Sequence, residues 1–316
     1  MDRRAFIGAF GGLVATSALP AVAEEKPGLF ATRGQYERLA LNYIHIHIGL
    51  KQPFSVLHIS DTHLTAVYPT ENERKRKVSE VRTRTFGGRQ EEALRDSLAW
   101  ARENADYVLH TGDMIDFQSK ANLDLVRKYF GGNVTGSMGN HEFSPEMWLS
   151  ERKETATEAF KEPSRAMLSE AYPFDISFQS TVVNGVNFVT MDDVYGYVTS
   201  AQVAKFKAEV AKGLPIVLCM HVPFATRENV MVSHKYWMGG KWDKKSMKFR
   251  HVPKDEPAIK DGVTRDFVAF LKGEPLLKAI LCGHNHYTFQ EDFSPTARQY
   301  IVGSNFMFHG QEVLFT

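Results

Sequence analysis

Cysteine is scarce in this chain, since only Cys219 and Cys282 occur among its 316 residues. A fold stabilised by several disulfides, or by clusters of thiolate-bound metal ions, is therefore excluded. Both cysteines lie in apolar segments, which favours buried free thiols. A disulfide between them stays open as an alternative, although adjacent parallel strands offer poor geometry for one.

Net charge is also nearly absent, because 38 basic residues are offset by 37 acidic ones. The composition therefore gives no reason to expect a nucleic acid polymer or an anionic membrane surface as a partner. Long hydrophobic runs are missing beyond the N-terminal segment, so no membrane span is expected in the mature chain. What the chain does have is length and 43% hydrophobic residues, enough for one large core.

The N-terminal segment has the pattern of an export signal. Arg3 and Arg4 precede a weakly apolar stretch rich in Gly and Ala, and residues 21–23 match a small-x-small cleavage site. The arginine pair followed by x-Phe-Ile resembles the twin-arginine type, with an ordinary secretory signal as the alternative. We expect a signal peptide over 1–23, a single domain over 24–316, and a periplasmic or exported protein.

Strand-like apolar segments alternate with amphipathic helical segments through most of the chain. This order predicts an α/β fold with partly parallel strands and an added antiparallel portion near the C-terminus. Segments 64–87 and 224–262 have no clear apolar period, so we expect mainly loops there. In segment 43–48, alternation places His45 and His47 on one face, which favours a solvated or hydrogen-bonded pair on an edge strand over a metal site.

Five short motifs each follow a predicted strand, and they supply only nitrogen and oxygen ligands. Ligands of α/β sheets bind beyond the carboxyl ends of the strands, so these motifs are expected to converge. Imidazole and carboxylate groups of this kind suit zinc, iron, manganese, cobalt or nickel. In chain order the motifs are Asp61-Thr62-His63, Gly112-Asp113-Met114-Ile115-Asp116, Gly139-Asn140-His141-Glu142, His221 and Gly283-His284-Asn285-His286.

Such a set of donors fits the chemistry of phosphate ester hydrolysis. Two metal ions about 3.5–4 Å apart lower the pKa of a bound water toward about 7 and clamp the phosphate oxygens. A histidine is the usual acid for the leaving oxygen. Each motif alone is weak evidence, but their order and shared position after strands point together to a two-metal site.

Across residues 61–286 the motif series resembles the calcineurin-like metallophosphoesterase family. The resemblance implies two mixed β-sheets packed as a sandwich and flanked by helices, in four layers α/β/β/α. It implies hydrolysis of phosphate mono- or diesters by a hydroxide that bridges two divalent or trivalent ions, with a small-molecule phosphoester as substrate. His141 would protonate the leaving oxygen, and Asp116 would hold its ring. The implied ligands are Asp61, His63 and His286 for one ion, Asn140, His221 and His284 for the other, and Asp113 for both.

The chain departs from two branches of that family. Asp116 stands where purple acid phosphatases place a tyrosine, so a phenolate-bound iron site is not expected. Phe117 stands where Ser/Thr protein phosphatases place an arginine.

Two segments near the predicted centre are candidates for substrate contacts, through Arg89, Arg227, Trp237 and Trp242. Aromatic rings beside cations suit a phosphorylated ring or a lipid headgroup, although a solvated surface excursion is an equally plain interpretation. The cations leave a second activity open, the hydrolysis of nucleotide-sugar or lipid-linked diphosphates. A non-catalytic metal- or phosphate-binding protein would be expected to lose a ligand, Asp116 or His141, and none is lost.

Overall fold

The computed structural model describes residue 36 and residues 38–145, 157–238 and 262–316. The predicted signal peptide and Trp242 lie outside the described residues. The chain divides into a short unit, Met1–Leu39, and a large unit, Ala40–Thr316, to which the following description applies. Among the described helices, none combines the length and apolarity that crossing a membrane requires.

The first sheet has five strands in the order β1-β11-β2-β3-β4. Strand β11 runs antiparallel to β2, whereas the other pairs are parallel. Every residue of β2 is buried, as the continuous apolar run predicts for a central strand. The strands are β1 (Ala40–Ile46), β2 (Phe54–Ile59), β3 (Tyr107–Thr111), β4 (Val134–Ser137) and β11 (His309–Phe315).

The second sheet has six strands in the order β5-β6-β7-β8-β10-β9. Its four central strands are parallel, and the two edge strands β5 and β9 run antiparallel to their neighbours. A hairpin turn at Asn184 and Gly185, a residue pair typical of such turns, joins β5 to β6, and both residues have positive φ, 49° and 85°. The strands are β5 (Phe178–Val183), β6 (Val186–Met191), β7 (Ile216–Cys219), β8 (Leu277–Cys282), β9 (Phe289–Asp292) and β10 (Arg298–Ile301).

The two sheets bury a shared core between them and are flanked by helices on their outer faces. Phe54 and Phe315 of the first sheet meet Phe188 of the second in this core. A second core lies between the second sheet and helices, where Phe206 packs edge-to-face on Phe267. The predicted fold of two mixed sheets flanked by helices is confirmed. The described helices are α1 (Glu73–Thr85), α2 (Gln90–Asn104), α3 (Lys120–Tyr129), α4 (Glu158–Ala171), α5 (Ser200–Val210), α6 (Arg227–Met238) and α7 (Gly262–Gly273).

Two helices were not predicted, because their buried faces lack an apolar period. Segment 64–87 contains α1, in which Val78 alone is buried. Segment 224–262 contains α6, whose buried positions carry the polar residues Asn229, Ser233 and His234. A helix that buries so little apolar surface gives no hydrophobic period to read from sequence.

The remaining structural predictions concern the histidine pair and the cysteines. His45 and His47 are exposed at the edge of the first sheet that β1 forms. Both contact the Thr316 hydroxyl, His45 through Nε2 at 2.8 Å and His47 through Nδ1 at 3.0 Å. Cys219 and Cys282 are free and buried, and burial raises the pKa of each thiol well above its ordinary value. These thiols are structural rather than reactive.

Candidate metal centre

The predicted ligands come together on loops that leave the carboxyl ends of β2, β3, β4, β7 and β8. Most of them share a feature that strand ends rarely have, a left-handed backbone conformation. Such φ values, between 52° and 68°, persist only where surrounding contacts hold them, and they concentrate at functional sites. The residues that adopt them are Asp61, His63, Asp113, His284 and His286.

The first cluster joins Asp61, His63 and His286, whose ligand atoms all lie within 4.8 Å of one another. His286 Nε2 lies 3.3 Å from Asp61 Oδ1 and 3.1 Å from His63 Nε2. His63 Nδ1 lies 3.0 Å from the Asp116 carboxylate, which places the ring proton on Nδ1 and aims the Nε2 lone pair into the cluster. Asp61 Oδ1 is buried without a hydrogen-bond partner among the described residues, as suits a metal ligand.

The second cluster joins Asp113, His221 and His284 within the same limit of 4.8 Å. His221 Nδ1 donates to the Thr111 carbonyl at 2.7 Å, so its Nε2 lone pair faces His284 Nδ1 at 3.0 Å. Asn140 Oδ1 is also buried and lacks a hydrogen-bond partner in the described part of the chain. Imidazole nitrogens and a carboxylate oxygen within this distance form a set of donors that could hold a metal ion.

Asp113 belongs to the second cluster, and one of its carboxylate oxygens also approaches a histidine of the first. Its Oδ2 lies 3.2 Å from His221 Nε2 and 3.7 Å from His63 Nε2. Its Oδ1 accepts a hydrogen bond from the His141 amide at 2.9 Å, which fixes the plane of the carboxylate. Gly112 makes room for this turn: its φ is 91°, and a Cβ there would lie 2.6 Å from the His221 ring. The Asp113 carboxylate therefore lies between His221 and His63.

The electrostatics of the centre favour cations. Burial raises the pKa of Asp113, but the neighbouring His221 and His141 outweigh it and hold the pKa well below its ordinary value. Burial lowers the pKa of His221, yet the Asp113 carboxylate outweighs this and raises it to about 10. The buried carboxylates of Asp61 and Asp113 thus attract positive charge to the centre. Metal ions can supply this charge in place of protons.

His141 lies at the open side of the centre, with 20% of its side chain exposed. Its Nδ1 lies 2.8 Å from the Asp116 carbonyl oxygen and 3.1 Å from Asp116 Oδ1. Burial lowers the pKa of His141, but Asp113 and Asp116 outweigh it and raise it to about 9. A ligand atom of His141 also lies within 4.8 Å of those of His63 and Asp113, so proximity alone leaves a ligand role open.

Sequence reasoning missed Arg82, which completes the surroundings of Asp116. Arg82 lies on α1 and forms two hydrogen bonds to the Asp116 carboxylate, at 2.7 and 2.8 Å. Its guanidinium also lies over the Phe86 ring, 4.5 Å from the centroid. Because α1 carries no apolar period, nothing in the sequence separated Arg82 from the other arginines of this segment.

Glu142 was part of a motif but had no predicted role. Its buried carboxylate accepts hydrogen bonds from the backbone amides of Asp113, Met114 and Gly139, at 3.0, 2.7 and 2.8 Å. It also accepts one from the Tyr172 hydroxyl at 3.0 Å. One side chain therefore ties the loop after β3 to the loop after β4.

Of the four predicted substrate residues, Trp242 lies outside the described residues, and the other three have separate surroundings. Arg89 pairs with Glu92 at 2.7 Å and lies over the Phe308 ring, so its charge is already compensated. Arg227 begins α6. Trp237 lies beside the metal centre, with its ring centroid 5.6 Å from that of His286.

Comparison with known proteins agrees with these observations. The family model described as calcineurin-like phosphoesterase matches residues 54–288, more than half of the chain. No curated protein sequence gives a significant match. Among solved structures, the chain is similar to a dimetal phosphatase from Danio rerio, with 14% identity, a TM-score of 0.45, and coverage of 80% of this chain and 88% of the other.

Two further solved structures are similar at comparable levels. A purple acid phosphatase from yellow lupin (Lupinus luteus) has 12% identity and a TM-score of 0.45, with coverage of 80% of this chain but only 44% of the lupin chain. A phosphopantetheinyl hydrolase from Mycobacterium tuberculosis has 15% identity and a TM-score of 0.36, with coverage of 80% and 91%.

Proposed function

Because this chain belongs to the calcineurin-like phosphoesterase family, we propose that it hydrolyses phosphate mono- or diesters at a two-metal centre. One ion would be held by Asp61, His63 and His286, and the other by Asn140, His221 and His284, with Asp113 available to both. When bound, the ions activate a water molecule and stabilise the charge that develops on the phosphate oxygens.

The observation that carries this proposal is the position of Asp113. Its Oδ2 atom lies within 4 Å of a histidine from each cluster, His221 at 3.2 Å and His63 at 3.7 Å, which suits a carboxylate shared by two metal ions. The Oδ1 atoms of Asp61 and Asn140 support the same assignment. Each is buried without a hydrogen-bond partner among the described residues, and a bound metal ion would supply that partner.

The chain's own contribution to the chemistry is a positioned proton donor. His141 is partly exposed at the edge of the centre, is oriented by Asp116 through its Nδ1, and has its pKa raised by the carboxylates of Asp113 and Asp116. Its other ring nitrogen can give a proton to the oxygen that leaves phosphorus, which makes it the general acid. Asp116 stays ionised beside Arg82 and so stabilises the charged form of His141.

The test combines metal content with turnover. The protein is purified without chelators, its metals are measured by mass spectrometry, and it is assayed with 4-nitrophenyl phosphate and bis(4-nitrophenyl) phosphate. We expect a pair of ions per chain and hydrolysis of at least one ester. Asp113→Asn should lose metal and reduce kcat by more than about 100-fold, beyond the loss usual for residues that only support ligands.

The matched control is Asp124→Asn, since Asp124 is an aspartate on α3 that pairs with Arg127 at the surface. It should leave metal content and turnover unchanged. Metal retained by Asp113→Asn would contradict the shared carboxylate. Metal bound by the wild type without hydrolysis of any ester would favour the non-catalytic alternative.

Hydrolysis of diphosphates receives no added support from the described residues, because Arg89 is already paired with Glu92. The other predicted cation, Arg227, begins α6. A nucleotide-sugar diphosphate belongs in the substrate panel.

We also propose that the chain is exported by the twin-arginine route. The support is Arg3 and Arg4 in their sequence context. That route carries folded proteins, which suits an enzyme that takes up its metal ions before export.

A further inference from the structure

Three aromatic side chains, Tyr236, Trp237 and Phe306, form a wall beside the metal centre, here called the aromatic wall. We propose that it binds a planar ring attached to the ester oxygen directly or through one carbon, so that the substrate is an aryl or arylmethyl phosphoester. The inference rests on the proposed phosphoesterase function and adds the class of substrate.

The wall contacts a predicted metal ligand itself. The ring centroids of Trp237 and Phe306 lie 5.6 and 5.3 Å from that of His286. His286 has 17% of its side chain exposed, so this is a side from which the centre can be reached. A phosphate held at the centre would therefore present its organic group close to these rings.

The wall is fixed in place by a buried polar network. Asn229 of α6 accepts a hydrogen bond from the Tyr287 hydroxyl at 2.7 Å and one from the Asn285 amide at 3.2 Å. Asn285 stands between the predicted ligands His284 and His286, so α6 is tied to the ligand loop. Tyr236 then packs on Tyr287 at 5.1 Å between ring centroids. A rigid wall binds a ring without the cost of ordering side chains.

The wall also leaves apolar surface uncovered. Tyr236 is 49% exposed and the adjoining Met307 is 50% exposed, whereas Trp237 and Phe306 are half-buried. Exposed apolar surface at the rim of a polar centre is typical of a binding site. A planar ring gains more here than an alkyl chain, because aromatic pairs contribute about 0.5–1.5 kcal/mol beyond the area they bury.

Distance argues for a short connection between ring and phosphorus. Aromatic partners lie about 4.5–7 Å apart between centroids, so a ring on the wall would lie next to the ligands of the centre. The base of a nucleotide is separated from phosphorus by the ribose and would extend past the wall. The nearby arginines are engaged as well, Arg82 with Asp116 and Arg89 with Glu92.

The test uses the metal-loaded enzyme and pairs of compounds that differ only in the organic group. Benzylphosphonate and ethylphosphonate, which cannot be hydrolysed, are compared by calorimetry. Benzyl phosphate, ethyl phosphate and adenosine 5′-monophosphate, each also as its methyl diester, are compared by kcat/KM. Because benzyl alcohol and ethanol are similarly poor leaving groups, a difference between them reports binding of the ring.

We expect benzylphosphonate to bind at least about tenfold more tightly than ethylphosphonate, and benzyl phosphate to exceed adenosine 5′-monophosphate in kcat/KM. Trp237→Ala should reduce the tenfold ratio of affinities between benzylphosphonate and ethylphosphonate to about threefold or less. Trp237→Phe should restore most of that ratio. Tyr236→Ala, at an exposed position, is the second variant should Trp237→Ala fold poorly. Tyr43→Ala, an exposed aromatic residue on β1, should leave the ratio unchanged.

The outcomes separate this inference from the proposed function. Equal affinity for the two phosphonates, or a preference for adenosine 5′-monophosphate, overturns the substrate class while ester hydrolysis stands. Failure to hydrolyse any ester, together with failure to bind either phosphonate, overturns both.

Discussion

Arg82 and Asp116 form a two-pronged ion pair, with Nε 2.7 Å from Oδ2 and a terminal nitrogen 2.8 Å from Oδ1. The same carboxylate contacts the Nδ1 atoms of His63 and His141, at 3.0 and 3.1 Å. Burial raises the pKa of Asp116, but Arg82, His141 and His63 together outweigh it and hold the pKa well below its ordinary value. One arginine therefore holds the carboxylate that orients both a predicted metal ligand and the predicted acid.

Replacing Arg82 should impair turnover more than substrate binding. In Arg82→Ala the Asp116 carboxylate loses its two fixed donors, so His141 is less well oriented when the leaving oxygen needs its proton. We expect kcat to fall by about 10–100-fold, the range for residues that support ligands, with KM little changed. Arg82→Lys should recover only part, since it cannot bond both oxygens in the same geometry.

Arg84→Ala is the matched control, because Arg84 is exposed on the same helix. It should behave as the wild type. Equal effects of Arg82→Ala and Arg84→Ala on kcat would refute a positioning role for Arg82.

The role of His141 can be read from its dependence on the leaving group. His141→Ala should retain the metal ions and reduce turnover of alkyl phosphates by about 10²–10⁴-fold, the usual contribution of a general acid. The loss should be smaller for 4-nitrophenyl phosphate, whose leaving group needs no proton. The measurements are kcat across esters of graded leaving-group basicity, and metal content.

Two results would count against this assignment. The same loss for every leaving group would mean that His141 does not protonate the leaving oxygen. Loss of metal would instead place His141 among the ligands, as its closeness to His63 and Asp113 permits.

Glu142 should contribute strongly to stability. In Glu142→Gln, an amide group replaces a carboxylate oxygen among donors, so at least one buried N–H loses its acceptor. We expect a decrease of about 2–3 kcal/mol in the free energy of unfolding, measured by urea denaturation. Tyr172→Phe removes a single donor to the same carboxylate and should cost about 1 kcal/mol. A loss no larger in Glu142→Gln than in Tyr172→Phe would show that Glu142 does not tie the two loops together.

Much of the fold could be read from the sequence, because the central strands are continuous apolar runs that end in chemically distinctive motifs. Strand β2 illustrates this, because every one of its residues is buried and only Ser60 separates its end from the motif that begins at Asp61. The turn at Asn184 and Gly185 was readable because few residues tolerate positive φ.

The parts that escaped prediction depend on polar contacts between distant segments. Arg82 meets Asp116 across 34 residues, and the acceptor role of Glu142 involves amides up to 29 residues away. Neither partner can be inferred from spacing. Helix α6 was missed for the same reason. Its buried residue Asn229 accepts a hydrogen bond from Tyr287, so the helix is attached through a polar contact and not through an apolar face.

Export can be tested at the arginine pair. With Arg3→Lys and Arg4→Lys combined, the protein should remain in the cytoplasm, because twin-arginine recognition needs the guanidinium groups. The measurement is cell fractionation, with Arg33→Lys as a control outside the pattern. Unchanged export of the double variant would favour an ordinary secretory signal, and a wild-type protein found in the cytoplasm would contradict export altogether.

His58 should make the protein less stable in acid, independently of the metal ligands. It is fully buried, with Nδ1 3.1 Å from Gln311 Oε1 and Nε2 2.8 Å from the Thr111 hydroxyl. Burial lowers its pKa from 6.5 to about 4. Below pH 6.5 the unfolded chain therefore binds a proton that the folded protein does not, which favours unfolding until the pH reaches about 4.

Between pH 7 and pH 4.5 the wild type should lose about 2–3 kcal/mol more stability than His58→Gln. Urea denaturation in the presence of EDTA measures this difference without a contribution from bound metal. His45→Gln, at an exposed histidine, should follow the wild type at every pH. Parallel stability curves for the wild type and His58→Gln would mean that His58 binds a proton in the folded state despite its burial, with Gln311 and Thr111 accepting from its two ring N–H groups.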